Sequence, residues 1–433
     1  MPLVKDKADH MEDLEKVVDL VHGGKMAAEV FKSKDVNDPL NWSESRKLLT
    51  FLTICMFTFF ANVNSSNFTV AVKPMIAEYH ISSTRAGFLV CFNVLLFGIG
   101  GVIWVPLMRV IGKRPVFLLT MLLVCVFNIW SLCAQSFNSL LASRILSGFA
   151  AASADATVPG VVSDLVLAQD RGHYMMIFHL ALCSGTFIGP LINGYLVQEQ
   201  NWRWMCGFMA IGVGATFLCG IFTIRETSYL KPREPLDQNA TIEQPKTQLQ
   251  WMSLTSGYNK NASFFKTIRD IILMAGYPPI LWVGATVGVT VGWNIGVQLT
   301  ASRTFTAPPH LWKAGSLGLL SLSGWIGAVL SFYVAGRLTD TIVTKATDKH
   351  YGVRQPEYRL PALFFASLIG PPGVLTFGLC IAHNTHWIGS AFGYAMQGFG
   401  LSAVSNIVVT YAVDTYRPVC SQPYSLINIK LYF

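Results

Sequence analysis

Two charged residues lie inside one long apolar stretch, and their spacing is the first indication of chemistry. Arg144 and Asp155 both fall within 140–162, eleven positions apart. In an α-helix this spacing is about three turns plus roughly 20°, so both side chains project from nearly the same face. Because charge inside a bilayer is costly and usually faces a cavity or a partner, we predict that Asp155 handles a proton or cation. Arg144 would be its same-face partner or an anion contact. The alternative is a buried acid held by Ser153, Thr157 or backbone amides.

A second set of residues could line a cavity for a small molecule. They are polar or amphipathic side chains that stand in other apolar stretches: Asn62, Trp293, Asn294, Gln298 and Asn406. Such a group can contact a substrate, or it can hydrogen-bond to a neighbouring helix. Both interpretations fit the sequence.

The elements that carry these residues are predicted to be membrane-spanning helices. Such a helix needs about 20 mostly apolar residues. Hydrophobic residues make up 52% of the chain and charged residues 13%, whereas soluble domains have roughly 25% charged residues. The predicted fold class is therefore an all-α polytopic membrane protein. The ten apolar runs lie at 48–70, 86–105, 116–134, 140–162, 174–197, 204–224, 280–299, 314–335, 362–382 and 388–411.

Several classes of protein lack their signatures here. The sequence contains no G-x-x-x-x-G-K-[ST] phosphate loop and no H-E-x-x-H, so neither an ATP-driven pump nor a zinc hydrolase is indicated. The nine cysteines include no C-x-x-C pair, which indicates neither a metal site nor a disulfide framework. We expect no enzymatic activity, no cofactor and no metal.

The basic residues predict the orientation in the membrane. With the N-terminus in the cytosol, cytosolic segments carry 26 of the 32 Lys and Arg residues and outer segments carry five, as the positive-inside rule requires. This distribution explains the net charge of +8 without nucleic acid as a partner. The predicted organisation is a cytosolic tail, a six-helix bundle, a cytosolic linker, a four-helix bundle and a second cytosolic tail: 1–47, 48–224, 225–277, 278–412 and 413–433.

Within the linker, 264–274 alternates apolar and charged residues at helical spacing. It is either a short helix on the inner membrane face or a plain lead-in to the seventh span.

The loop after the second span resembles a family signature. Its sequence Gly-Lys-Arg-Pro at 112–115 resembles the end of G-x-L-x-D-R-x-G-R-R-P, the loop signature of the major facilitator superfamily. The acid of the signature is replaced by Arg109. In the family this acid helps to hold the inward gate closed, so the resemblance implies a weakened gate. The gate residues are Gly112, Lys113 and Arg114.

Two further motifs resemble those of the family. A second copy of the loop signature follows the eighth span and keeps its acid, and matching copies indicate an internal repeat. Its residues are Gly336, Arg337 and Asp340. In the fourth span, Arg144 begins an R-x-x-x-G motif that ends at Gly148.

The fifth span resembles the antiporter signature G-x-x-x-G-P-x-x-G-G, with an asparagine in place of one glycine. The proline removes a backbone donor and bends the helix, and in exporters of the family this element is thought to shape proton-coupled exchange. Its residues are Gly185, Gly189, Pro190, Asn193 and Gly194. The seventh span has four glycines at every fourth position, which predict close approach of another helix: Gly284, Gly288, Gly292 and Gly296.

Four short segments narrow the resemblance to fungal proton-coupled exporters of drugs, toxins and metabolites: 38–42, 201–204, 356–361 and 411–416. The resemblance implies a secondary transporter that works by alternating access, with small-molecule substrates and protons as partners. It also implies a monomer in the plasma membrane with both termini cytosolic.

The family has twelve helices, and no further membrane-spanning run follows residue 411. Ten of twelve helices are therefore expected, with an incomplete second bundle. The alternative function is a non-transporting membrane sensor or an inactive remnant of a transporter.

Overall fold

All the regular elements in the described part of the chain are helices. The computed structural model describes residues 38–166, 171–228, 258, 262–308, 310–349, 355–383 and 385–415. Besides short 3₁₀ turns, these residues form thirteen α-helices: α1 (Glu44–Ser66), α2 (Val72–Tyr79), α3 (Ser83–Ile111), α4 (Lys113–Cys133), α5 (Phe137–Ala151), α6 (Ser153–Leu165), α7 (Arg171–Glu199), α8 (Arg203–Thr223), α9 (Phe264–Ala275), α10 (Pro278–Thr306), α11 (Ala314–Lys349), α12 (Leu360–Ala382) and α13 (Trp387–Thr415).

The helices correspond closely to the predicted spans. Nine segments in the described residues are long and apolar enough to cross a membrane, from Glu44–Val70 to Glu357–Ala382. The fourth of them, Phe137–Leu165, contains α5 and α6, which Ala152 joins in a right-handed helical conformation. The tenth predicted span, 388–411, forms α13, a helix of 29 residues that is not among those nine. Its crossing of the membrane stays an expectation.

One predicted boundary is wrong. The eighth span was expected to end at 335, but α11 continues without interruption to Lys349. The added turns keep apolar residues at helical spacing, and Ile342 and Val343 pack against the rest of the protein. This packing extends the helix beyond its membrane-spanning length.

The helices pack as two groups. Helices α1–α8 contact one another and form the first bundle, while α10–α13 form the second bundle. The main contact between the bundles is between α7 and α11. The end of the protein near Gly112 is called the inner end below and the opposite end, near Trp202, the outer end; the count of basic residues predicts that the inner end is cytosolic. The predicted domain limits themselves remain predictions.

The two bundles share one core at the outer end and have separate cores toward the inner end. The outer core joins Phe68 and Ala86 of the first bundle to Ala301 and Leu317 of the second. Toward the inner end, one buried cluster belongs to the first bundle, with Val409 of α13 packed against it, and another belongs to the second bundle. The bundles are therefore closed together at the outer end.

Candidate functional site

Asp155 is a partly exposed acid that α1 positions. It lies in the first turn of α6. The side-chain amide of Asn62 in α1 donates to its two carboxylate oxygens at 3.1 and 3.3 Å. The same amide donates to the carbonyl of Thr58 at 3.0 Å, which fixes its orientation. Because Asp155 is only partly buried while Asn62 is buried, the carboxylate is held in place yet can still be reached by a proton.

Arg144 is enclosed within the first bundle. Its side chain is fully buried, and its guanidinium donates to the side-chain oxygen of Asn64 at 2.8 Å and to the Asn64 carbonyl. The guanidinium also lies 4.7 Å from the centre of the Phe68 ring, a cation–π arrangement. Asn128 donates to the same Asn64 oxygen at 3.2 Å.

The predicted pairing of Arg144 with Asp155 is absent from the described ion pairs. Their separation of eleven positions corresponds to about 16 Å along a helix. Each charge instead binds a different asparagine of α1. Arg144 is therefore not paired with Asp155 among the described residues, and its role as an anion contact stays a prediction.

The Gly112–Arg114 loop joins three elements at the inner end. Gly112 ends α3 with φ of 113°, a conformation that favours glycine. The Lys113 ammonium binds the Asp164 carboxylate of α6 at 2.5 Å and the Gly160 carbonyl at 3.1 Å. The Arg114 guanidinium donates to carbonyls at the end of α8, those of Ile221 and Ile224.

Glu226 completes this inner cluster. Its carboxylate accepts hydrogen bonds from the backbone amides of Lys113 and Arg114 at 3.0 and 3.1 Å. These amides open α4 and have no partner within the helix, so the acid also complements the helix dipole. The loop thus ties α4, α6 and the end of α8 together within the first bundle.

The second copy of the loop signature has a different structure. Gly336, Arg337 and Asp340 lie inside the uninterrupted helix α11, not at a turn. The guanidinium of Arg337 lies 6.0 Å from the centre of the Tyr333 ring, and Asp340 is exposed. A Cβ at Gly336 would meet the sulfur of Met176 at 3.9 Å, so this position is near α7 of the first bundle. The repeat visible in the sequence is not repeated in the local backbone.

The motif of the fifth span lies in α7 and serves two contacts. A Cβ at Gly185 would lie 2.3 Å from the carbonyl oxygen of Phe59, and one at Gly189 would lie 3.1 Å from the Val63 Cα, so both glycines allow α1 to approach closely. A Cβ at Gly194 would lie 2.5 Å from the Ala314 carbonyl of α11.

The rest of this motif faces the same two neighbours. The backbone carbonyl of Pro190 lies against Gly318 of α11. Asn193 is fully buried, and neither atom of its amide has a hydrogen-bond partner among the described residues. Helix α7 therefore touches α1 within its bundle and α11 across the interface.

The glycine stripe of α10 does not have the predicted packing role among the described residues. No atom lies within 4 Å of a Cβ placed at Gly284, Gly288, Gly292 or Gly296. Trp293, expected to line a cavity, is 56% exposed and projects about 100° away from Asn294 around the helix. The four glycines do lie at helical spacing, but no other described helix packs closely against them.

Asn294 and Gln298 lie together on the buried face of α10. They are one helical turn apart, and both are buried. The Gln298 amide nitrogen lies 3.5 Å from the Thr186 carbonyl of α7 in the first bundle. The Asn294 side-chain oxygen has no hydrogen-bond partner in the part of the chain that the structure describes. Asn406 is in α13 toward the inner end, where Thr410 donates to its side chain at 3.5 Å. These amides belong to the second bundle, whereas Asn62 belongs to the site of Asp155.

Several residues of these sites were missed by the sequence analysis. They are Asn64, Asn128, Asp164, Glu226 and Tyr394, of which Tyr394 is 1% exposed and lies against the Phe187 ring at 5.6 Å. The acids could have been found, because they stand at the inner ends of apolar spans opposite a basic loop. The asparagines gave no signal that separates them from ordinary polar residues in a helix.

The outer motif before α8 also has partners that the sequence did not indicate. Glu78 of α2 binds Arg203 at 2.8 Å and accepts from the Trp202 indole nitrogen. Arg203 lies over the Trp202 ring at 4.5 Å. Burial and the neighbouring Glu78 raise the pKa of Tyr79. This cluster fastens the short helix α2 to the first bundle.

Two bundles of long apolar helices, closed together at one end, with a partly exposed acid of α6 held by α1, are the architecture of a polytopic membrane transport protein. The model of the Major Facilitator Superfamily matches residues 52–423. The chain belongs to this family.

The relatives are fungal transporters. The chain is 29% identical over 391 residues to the MFS-type transporter tndD of Aspergillus flavipes. The alignment covers 88% of this chain and 72% of the relative. It is 28% identical over 394 residues to the multidrug transporter mdrA of Aspergillus fumigatus, covering 89% of this chain and 64% of the relative. These relatives are named as transporters, not as enzymes.

Solved structures show the same fold. The xylose transporter XylE from E. coli, in a partially occluded inward-open conformation, aligns with a TM-score of 0.60 at 12% identity, over 87% of this chain and 88% of that one. A bacterial homologue of the lysosomal transporter Spinster aligns with a TM-score of 0.54 at 15% identity, over 86% and 76% of the two chains. The all-α major facilitator fold is confirmed, and the chain is a multi-pass membrane protein of a transporter family.

Proposed function

We propose that this protein is a proton-coupled exporter of a small molecule, in the plasma membrane, with both termini cytosolic and as a monomer. The observation that carries the proposal is the site of Asp155. A lone carboxylate, partly exposed and held by Asn62 of α1, can take up a proton and change its charge without losing a salt-bridge partner. Secondary transporters place such acids where the two bundles meet.

Alternating access would couple proton binding at Asp155 to movement of the two bundles. Asn62 in α1 is within 2.8 Å of the position that a Cβ at Gly185 of α7 would take, so the Asp155 site adjoins the close α1–α7 contact. Helix α7 in turn touches α11 of the second bundle. Protonation of Asp155 removes the negative charge that binds Asn62 and so weakens this contact of α1. A resulting shift of α1 or α7 would alter the interface between the bundles. Two packed bundles of this kind can rock about such an interface.

The two copies of the loop signature, at the inner end, fit a gate that would close the inner side of the transporter. The cluster of Lys113, Asp164 and Glu226 fixes the inner ends of α4, α6 and α8 as one unit, so the first bundle can move as a rigid body. Gly336 of α11 lies near Met176 of α7, and this proximity to the first bundle supports a gate role for the second copy of the loop signature. Arg144 and the asparagine that it binds would keep the first bundle rigid, not carry protons.

The test is export with and without the acid. The chain is produced in a transporter-deficient yeast and screened for growth protection against many compounds, and export of a protective compound is then measured in vesicles with an imposed pH gradient. We expect Asp155→Asn to remain in the membrane and lose the response to the gradient. Asp348→Asn, at an exposed acid of α11, is the control and should behave as the parent. Transport against a gradient by Asp155→Asn would show that the acid is structural.

A further inference from the structure

Helix α9 has one side against the protein and an apolar side turned away from it. It contacts α3 of the first bundle, and it leads through Gly276 and Tyr277 directly into α10 of the second bundle. Thr267 is buried. Phe265 lies about 160° from Thr267 around the helix, and both Phe265 and Ile272 on the same face are exposed. The protein therefore leaves this apolar face of α9 uncovered among the described residues.

The place of α9 in the chain sets its depth relative to the membrane. The membrane-spanning helix α10 begins at Pro278, directly after α9. Leu281 and Trp282, in the first turns of α10, are exposed apolar side chains, as expected where a span faces lipid. The apolar face of α9 lies at this level, so it can leave water by entering the interfacial region of the bilayer.

Two cations border the apolar face of α9. Lys266 and Arg269 are exposed and lie about 60° apart around the helix, and Arg269 is about 40° from Phe265. Asp270 lies 3.7 Å from Arg269, and its side chain is 15% exposed, so this acid offsets part of the positive charge. Apolar side chains flanked by lysine and arginine are typical of helices that lie in a membrane interface.

The helices that α9 contacts offer no acid to these cations. Neither α3 nor α10 contains an aspartate or a glutamate. Helix α3 instead has a basic residue in its last turn, because Arg109 stands where the loop signature has its acid. Negative charge that complements this surface therefore comes from outside these two helices. A molecule that supplies this charge and also covers the apolar face has the chemistry of a lipid.

We propose that α9 binds an anionic phospholipid, whose phosphate contacts Lys266 and Arg269 and whose acyl chains pack against Phe265 and Ile272. The cytosolic leaflet, which the inner end is predicted to face, contains such lipids. A lipid bound here touches an element that contacts the first bundle at α3 and continues into the second bundle at α10. The inference goes beyond the proposed function, because it depends on neither the substrate nor the proton.

The test is the enrichment of anionic lipid beside α9 in a bilayer. A fluorescent amino acid replaces Leu273, which is exposed and lies about 20° from Lys266 and about 40° from Arg269 around the helix. The full chain is reconstituted in phosphatidylcholine vesicles. These vesicles contain equal minor fractions of either phosphatidylserine or phosphatidylcholine with a nitroxide quencher on the acyl chain near the headgroup. The quenching of the fluorophore then compares the two lipids at the same amount of quencher.

Three double variants separate charge from structure. Lys266→Gln with Arg269→Gln removes both cations, whereas Lys266→Arg with Arg269→Lys keeps both charges. The matched control is Lys345→Gln with Lys349→Gln, which removes two exposed cations of α11. These lie about 15 Å or more along the helix beyond residue 335, where the predicted apolar run ends. Size-exclusion profiles establish that each variant is folded.

We expect phosphatidylserine to quench about fivefold more strongly than phosphatidylcholine in the parent, since two cations less one acid leave one net charge near the headgroups. The charge-keeping variant and the α11 control should retain this preference, and the glutamine variant of α9 should lose it. Rising salt should weaken it in the parent.

Equal quenching by the two lipids in the parent would overturn the anionic site. A preference that persists in the glutamine variant of α9, or that disappears in the α11 control, would overturn its assignment to Lys266 and Arg269. Negligible quenching by both lipids would show that α9 is away from the membrane and would overturn the inference as a whole. The proposed function is tested separately, by export.

Discussion

The close contact of α1 with α7 gives the sharpest prediction, because it requires residue 185 to have no side chain beyond a hydrogen atom. Replacing Gly185 by Ala places a Cβ 2.3 Å from the Phe59 carbonyl oxygen and 2.8 Å from the Asn62 Cβ. The first neighbour is backbone and cannot rotate away, so the two helices must separate by about 1 Å, since ordinary carbon contacts are near 3.5 Å. Overpacking of this kind costs about 1–3 kcal/mol, while Ala gains roughly 1 kcal/mol over Gly in a helix.

The matched control is Gly98→Ala in α3, where nothing lies within 4 Å of the added Cβ. It gains the helix preference without the clash, so the two variants should differ by about 2 kcal/mol in the free energy of unfolding. Thermal unfolding of the purified proteins in detergent, followed by intrinsic fluorescence, measures the difference as a lower melting temperature for Gly185→Ala. Equal melting temperatures for the two variants would refute the close packing of α1 on α7.

Three further predictions concern the inner end. Lys113→Met removes the contacts to Asp164 and Gly160 and should lower stability by about 1 kcal/mol, because the pair is partly exposed; Lys345→Met, at an exposed position of α11, is the control. The sequons at Asn239 and Asn261, which lie outside the described residues, should carry no sugar in a eukaryotic host if the linker is cytosolic; glycosylation of either would contradict the orientation. Spin labels at Phe265 and Ile272 of α9, which are 80% and 62% exposed, should be more accessible to oxygen than a label at Lys266 if α9 lies on the membrane. Lys266 is also exposed but projects about 100° or more away from both positions around the helix, and equal accessibility would contradict this placement.

The membrane helices could be predicted because a bilayer imposes one length and one composition on them. The end of α11 could not, because Ile342 packs against the core of the second bundle and Val343 is buried, and this packing holds the added turns in a helix. The apolar length of a span sets only the part of a helix that crosses the membrane.

The site was predicted less well than the fold. Helical spacing identified Arg144 and Asp155 as unusual, but their partners are Asn64 and Asn62 of α1, about 80 and 93 positions away. Spacing within one helix contains no information about which residue of another helix faces it. The same reason explains Tyr394, whose partners come from α10 and α11, and the glycines of α10, which have the spacing of a packing face without a neighbour in the described residues.

The central claim is that proton binding at Asp155 shifts the two bundles between two arrangements. Double electron–electron resonance measures it directly, with one pair of spin labels at the outer end, at Glu199 and Lys313, and another at the inner end, at Gly172 and Thr341, all exposed positions. The labels are attached through a non-canonical amino acid, since the chain has nine cysteines. Between mildly alkaline and mildly acidic pH, the outer and inner distances should change in opposite directions, and in Asp155→Asn both should be independent of pH. Distances that stay constant in the parent, or that respond to pH equally in Asp155→Asn, would contradict the account.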